Sequence, residues 1–215
     1  LNKKRYHMIA ATSVKAGNSQ PLPAASPASF AELNACERRD QWVSTQGWVV
    51  SWRRSSSRFT IKLASKDGWL TALLSVPEVD QLPENILGAK VRITGINTQE
   101  NNAGESIQVD SIDRIEMLEP GTNDPFDAPM VSMKDVSVRK VILGKRLRVR
   151  GTLITVMEQR KLIVQGDGET AAFALAETRV PGDGRTTFGD GGEAPALLPG
   201  DQVEIIGSAI AQPAF

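Results

Sequence analysis

"WVSTQGWVVSW" (42–52) and "LRVRGTLITVM" (147–157) decide how this chain is read. Each alternates apolar and polar residues, carries β-branched side chains and holds a glycine near its middle. Period-2 alternation of this kind marks a half-buried β-strand. Gly47 and Gly151 are 151 − 47 = 104 positions apart. The same offset relates "GNSQP" (17–21) to "GTNDP" (121–125), with Gly17 falling on Gly121 and Pro21 on Pro125. Equal offsets at three punctuation residues identify an internal repeat. Farther along, "LGAKVRITG" (87–95) matches "LPGDQVEIIG" (198–207), and 207 − 95 = 112. The second copy therefore holds 112 − 104 = 8 extra residues, placed in the Gly- and Pro-rich stretch 180–200.

One unit reads as five strands. In the first copy they fall at 42–52, 58–64, 69–76, 89–97 and 106–118, with Asp67-Gly68 as a hairpin signal and "PEVDQLPENILG" (77–88) as a short helix or turn. In the second they fall at 146–157, 160–165, 170–176 and 202–209, with Asp167-Gly168 at the turn. Ser29 with Glu32 three residues on forms a capping-box pattern, so "SFAELNACE" (29–37) and its equivalent "SMKDVSVRK" (132–140) predict short helices leading into the first strands. Five short strands with a helical insert after the third describe an all-β, OB-fold-like Greek-key barrel. An SH3-like barrel is the alternative. Gly47 and Gly151 are expected to let the long first strand bend or bulge.

The chain is out of phase with its own repeat. By the 104 offset, residues 5–16 match 109–120, the last strand of a unit. Residues 1–28 thus read as strand 5 of a preceding repeat plus a Pro-rich linker, 29–120 as a complete barrel, and 121–215 as a linker and a second barrel lacking strand 5. Such a barrel exposes two strand edges. Residues 5–16 are expected either to be disordered or to fill an edge, in their own chain or by strand exchange in a homodimer. The chain opens on Leu1 rather than Met and reads as a processed protein or a segment of a larger one.

Lys+Arg and Asp+Glu both number 25, so the net charge is zero, which argues against a uniformly basic nucleic-acid binder but not against a local patch. One cysteine, Cys36, excludes an intrachain disulfide, and no apolar run is long enough to span a bilayer as a helix. The stretch "WRRSSSRF" (52–59) joins the first two strands, a position that oligonucleotide-binding OB-folds use. Arg53, Arg54 and Arg58 are candidate phosphate contacts, and Trp52 or Phe59 a candidate base stack. The competing reading is a solvated hairpin tip, since the second copy has "MEQRKL" there. Trp42, Trp48, Trp52 and Trp69 all lie in the first barrel, as a ligand platform or as core and domain interface. Asp183, Asp190 and Glu193 sit in a glycine-rich loop that matches no EF-hand and reads as a surface insertion. His7 and Cys36 are isolated, and no catalytic or metal-binding motif is present, so neither catalysis nor a cofactor is expected.

The linker, the "S-x-A-E-L" helix and the "W-V-x-x-x-G-x-V" strand of residues 21–52, with "LLPGDQVEIIGSAIAQPAF" (197–215), resemble the tandem OB-like repeats in extracytoplasmic sensor regions of bacterial histidine kinases. The resemblance implies a periplasmic or extracellular, non-catalytic input module of a membrane-anchored two-component sensor, binding an unknown small ligand or protein partner. An OB-fold protein that binds single-stranded nucleic acid through residues 52–59 is the alternative.

Overall fold

The structure, a computed structural model, describes residues 17, 21–55, 58–75, 82–100, 104–122, 124–138, 141–157, 161–174 and 197–209. The leading strand expected at 5–16, His7 and the 181–193 loop lie outside the described residues.

The first unit contains β1 (Ser26–Pro27), α1 (Phe30–Asn34), β2 (Trp42–Ser55), β3 (Arg58–Ser65), β4 (Gly68–Ser75), β5 (Lys90–Glu100), β6 (Gly104–Val109) and β7 (Ile115–Glu119). Its sheet runs β1-β2-β3-β4-β6-β5-β7, and β2 also pairs with β5. Five strands, β2-β3-β4-β6-β5, therefore close into a barrel. Within it β4 and β6 are parallel, and every other neighbour is antiparallel. That order and sense is an OB-fold. The inward rows supply the core: Val49, Ile61, Leu63, Val91, Ile93 and Ile107 are all fully buried. Phe30 and Leu33 from α1 and Ile86 from the 3₁₀ turn Glu84–Ile86 pack against them.

Helix α1 starts where the sequence places it. The Ser29 hydroxyl accepts from the Glu32 N–H at 3.2 Å, and the Glu32 carboxylate accepts from the Ser29 N–H at 2.8 Å. It stops after five residues, short of 37, where Cys36 just past the Ala35 cap adopts φ +60°. In helix α2 (Met133–Ser137) the Ser132 hydroxyl likewise accepts from the Asp135 N–H, at 3.1 Å, and donates to the Asp135 carboxylate at 2.7 Å.

Two further expectations need correction. The run 106–118 is not one strand. At Ser111 the hydroxyl accepts from the Asp113 N–H and the carbonyl from the Arg114 N–H, making a 3₁₀ turn over Ile112–Arg114. This local bonding competes with the ladder, and β7 resumes on a different part of β5. Nor does Gly47 carry the bulge. The register of β2 slips at Val50, between Val49 and Ser51. Gly47 serves close packing instead: a Cβ there would lie 2.7 Å from Phe30 Cζ.

The second unit contains β8 (Arg146–Met157), β9 (Lys161–Gly166), β10 (Glu169–Ala174) and β11 (Gln202–Ser208), ordered β10-β9-β8-β11. This repeats β4-β3-β2-β5, including a bulge at Ile154, and 154 − 50 = 104. Among the described residues no strand stands between β10 and β11. The glycines record the difference. A Cβ on Gly95 would lie 2.3 Å from the Gln108 carbonyl oxygen on β6, whereas Gly207, its equivalent, has nothing within 4 Å among the described residues.

Two outcomes follow. Gly95→Ala overpacks the closed barrel and costs about 1–3 kcal/mol, read by urea unfolding through tryptophan fluorescence, since all four tryptophans report the first unit. Gly207→Ala stays within about 0.5 kcal/mol by circular dichroism. The hydrogen bonds from the Ser29 N–H and hydroxyl, then Arg38, hold the Glu32 carboxyl down at about 2 instead of 4.5. A depressed carboxyl stabilises the fold above its unfolded pKa and loses that contribution as pH falls through the folded one. Glu32→Gln is therefore less stable than wild type at neutral pH, and the two curves converge between pH 4.5 and about 2.

Candidate functional site

On β3 the alternation divides the side chains cleanly. Phe59, Ile61 and Leu63 point into the core, while Arg58, Thr60 and Lys62 point outward. Arg53 on β2 is paired with Thr60 and is exposed. Arg53, Arg58 and Lys62 thus share the outer face at the β2–β3 hairpin. No outward position of β2 beyond the bulge, of β3 or of β4 carries a carboxylate. Lys62 is flanked by Ser51 and Thr71, a row of small hydroxyls beside a cation. Leu73 points outward but is buried, so the open part of this face is its hairpin end and the Lys62 row.

Cations on the opposite side of the barrel are neutralised locally. Arg92 pairs with Glu116, Lys90 with Glu119 at 3.5 Å, and Arg114 with Asp110 at 3.6 Å. Among the described residues, the outward positions of β2 beyond the bulge, of β3 and of β4 thus hold cations and no carboxylate, an uneven distribution that a zero net charge does not reveal.

Three of the candidate residues do not belong to that face. Phe59 is 1% exposed, a core side chain that offers no plane to a base. Trp52 is paired with Ile61, packs against the core and meets the Phe59 ring at 5.9 Å between centroids. The Arg54 guanidinium lies 5.6 Å over the Phe59 ring. Trp52, Phe59 and Arg54 form a stack at the mouth of the barrel. Sequence reasoning missed Lys62, although its even spacing from Arg58 places it on the same face.

The tryptophans do not form a platform. Because the bulge at Val50 inverts the register, Trp48 points outward and Trp52 inward. Trp42 donates its indole N–H to the Pro23 carbonyl at 3.1 Å and fastens the linker. Trp69 is half-exposed and sits one strand beyond Trp48, since both pair with Ala64. Trp48 is only 9% exposed, and the second unit covers it. The Lys145 ammonium lies 5.3 Å and the Lys90 ammonium 6.0 Å from its ring centroid, within cation–π range. Gly144, at φ +86°, lets the backbone press against this ring: a Cβ there would lie 2.8 Å from Trp48 Cδ1 and 2.7 Å from the Ala64 carbonyl oxygen.

Two other polar features are engaged within the fold. A shallow depression of about 470 Å³ is lined by residues including Glu32 and Arg92, but Glu32 is engaged in the capping box and Arg92 with Glu116. Cys36, expected in a helix, lies in the turn after it, and its thiol donates to Glu105 Oε1 at 3.1 Å. That bond raises the thiol pKa, which opposes reactivity. Among the described residues no group of three or more His, Cys, Asp or Glu side chains could hold a metal ion, and no helix is long and apolar enough to cross a membrane.

No protein-family model matches the chain, and no curated protein matches it in sequence. Among solved structures it is similar to asparaginyl-tRNA synthetase from Pyrococcus horikoshii, at 19% identity and a TM-score of 0.33 over 41% of this chain and 22% of that one. Entamoeba histolytica asparaginyl-tRNA synthetase gives 14% identity and a TM-score of 0.37 over 47% and 25% of the two chains. A replication protein A heterotrimer bound to ssDNA gives 15% and 0.28 over 61% and 37%. The chain thus covers well under two thirds of each of these proteins, and likenesses this distant assign it no function.

Gly144→Ala forces a left-handed backbone onto a residue with a Cβ and drives that atom into the Trp48 ring. Docking of the two units weakens by about 1–3 kcal/mol. The expected readout is a red-shifted tryptophan emission and easier iodide quenching, because Trp48 gains water; an unchanged spectrum would mean that the seam does not bury this ring.

Proposed function

We propose that this chain is a non-catalytic binding module that holds a single-stranded polyanion, with single-stranded nucleic acid as the ligand class, against the outer face of β3 and the β2–β3 hairpin. The observation that carries this is the convergence of Arg53, Arg58 and Lys62 on a face with no outward carboxylate. OB-folds that take oligonucleotides use these strands and this loop. Arginine and lysine supply the phosphate contacts, and the flanking Ser51 and Thr71 hydroxyls can hydrogen-bond phosphate or sugar oxygens. The half-exposed Trp69, also on β4, is the aromatic nearest in kind to a stacking surface. Electrostatics without sequence-reading contacts implies weak sequence preference. The role of an extracytoplasmic sensor-kinase input region gains no supporting observation from the geometry of this face.

The test is fluorescence anisotropy of labelled mixed-sequence single-stranded DNA. Three phosphate contacts give a log–log salt slope of about −2, so affinity falls roughly 20-fold between about 50 and 200 mM salt. Replacing Arg53, Arg58 and Lys62 together by alanine abolishes binding at low salt without unfolding the barrel, since all three point outward. Binding that persists in the triple variant, or no binding at low salt, would overturn the reading.

A further inference from the structure

The second unit repeats the strands of the first but moves its cations. In the places of Arg53 and Lys62 it has Met157 and Ile163, and Lys161 stands in the place of Thr60. Its arginines lie instead on the first half of β8. Leu147 and Val149 point into the core, so Arg146, Arg148 and Arg150 share the outer face. By the 104 offset, Trp42, Ser44 and Gln46 occupy these places in the first unit, so the fold does not require arginine there. Arg148 and Arg150 share one carboxylate, that of Glu204 on β11, at 3.1 and 3.0 Å. Asp135, the counterpart of Glu32, is held by the Ser132 hydroxyl. Among the described residues Arg146 forms no ion pair, and its Nη1 is buried without a hydrogen-bond partner. The ladder therefore carries more positive charge than its ion pairs neutralise.

This ladder begins at the foot of the first unit's outer face. On β3, Ala64 follows Lys62 by two residues and so lies on the same side of the strand. Gly144 presses on Ala64, where a Cβ would lie 2.7 Å from the carbonyl oxygen, and Arg146 is two residues beyond Gly144. Those steps hold the Cα atoms of Lys62 and Arg146 within roughly 20 Å of each other. Lys145 lies between them, with its ammonium 5.3 Å from the Trp48 ring centroid. The Arg146 stem packs beside Gly88 of the first unit. Cations thus run from the β2–β3 hairpin through Lys62 and Lys145 to Arg146, Arg148 and Arg150.

We propose that the arginine ladder of β8 is a second phosphate-binding stretch, and that one single strand of nucleic acid crosses the seam from the first unit onto it. This rests on the ligand class proposed above and extends its footprint to both units. Outward positions of a β-strand recur about every 6.7 Å, so successive arginines meet different phosphates of an extended backbone. The guanidinium fork suits phosphate oxygens, and a phosphate at Arg146 supplies the counter-charge that the chain does not. Two sites on one strand reinforce each other by effective concentration. Contacts of this kind add affinity and a dependence on strand length, and they add no sequence preference.

The experiment measures anisotropy against salt for labelled single-stranded DNA of about five and about 20 nucleotides, lengths suited to one OB-fold and to two. The short strand gives a log–log slope of about −2, and the long strand steepens it to about −4, the value for about six phosphate contacts. The double variant Arg146→Gln, Arg150→Gln leaves Arg148 to hold Glu204. It makes the long-strand slope shallower by roughly 1.5 and leaves the short-strand slope unchanged. Arg146 touches the seam, so Arg150→Gln alone, at a side chain 67% exposed, is the second variant, and it reproduces about half of that change. Equal slopes on the two strands, or a long-strand slope that both variants leave unchanged, overturn the ladder while short-strand binding still supports the first face. Failure of both strands to bind overturns both proposals. Binding of poly-glutamate that depends on Arg146 and Arg150, with no effect of strand length, would assign the ladder to an acidic protein partner and overturn the proposal.

Discussion

Everything in the first unit depends on β6 closing the barrel between β4 and β5. A five-stranded sheet this short has too little surface to hold a core while open, because each inward side chain needs neighbours on all sides. β6 supplies Ile107 and Val109, each worth about 1.5–3 kcal/mol on full burial, and it satisfies the facing backbone edges of both neighbours. The closure requires a close crossing, and Gly95 provides it by having no Cβ where the Gln108 carbonyl passes. The turn at Ser111 then releases the chain so that β7 can cover the other end of β5.

The second constraint is the bend of the long first strand. β2 pairs with β5 through its first half and with β3 through its second, so it has to change sheets midway. The extra residue at Val50 makes the change and reverses which face each later residue occupies. Trp48, before the bulge, faces outward, where Lys145 and Gly144 of the second unit cover it. Trp52 is turned in, and Arg53 follows outward. One inserted residue separates the seam between the units from the positive face.

Much of this was legible in the sequence. Strands, both Asp-Gly hairpins, the Ser29 capping box and the repeat follow from local chemistry, because alternation and turn residues act over a few positions. The break at Ser111 was hidden, since "IDRIEM" keeps an apolar rhythm and only the competing hydrogen bonds of Ser111 interrupt it. The role of Gly47 was misplaced because close approach by Phe30 is a tertiary contact with no local signature. The candidate site was half legible. "WRRSSSRF" marks the β2–β3 hairpin, but Phe59 and Arg54 fall on its inward register, and Lys62, on the outer face with Arg53 and Arg58, lies beyond the quoted stretch. A site spread across three strands is read from register, and a bulge of one residue sets that register without announcing itself in composition.

The measurement that tests the central claim most directly is residue-resolved amide hydrogen exchange on the dilute chain. Closure by β6 predicts two tiers of protection. Amides of Val91, Ile107 and Val109 should exchange only through opening of the whole first barrel, while the facing edges of β10 and β11 exchange through cheaper local opening. Uniformly high protection across β10 and β11 at high dilution, or fast exchange at Ile107 and Val109, would contradict the account.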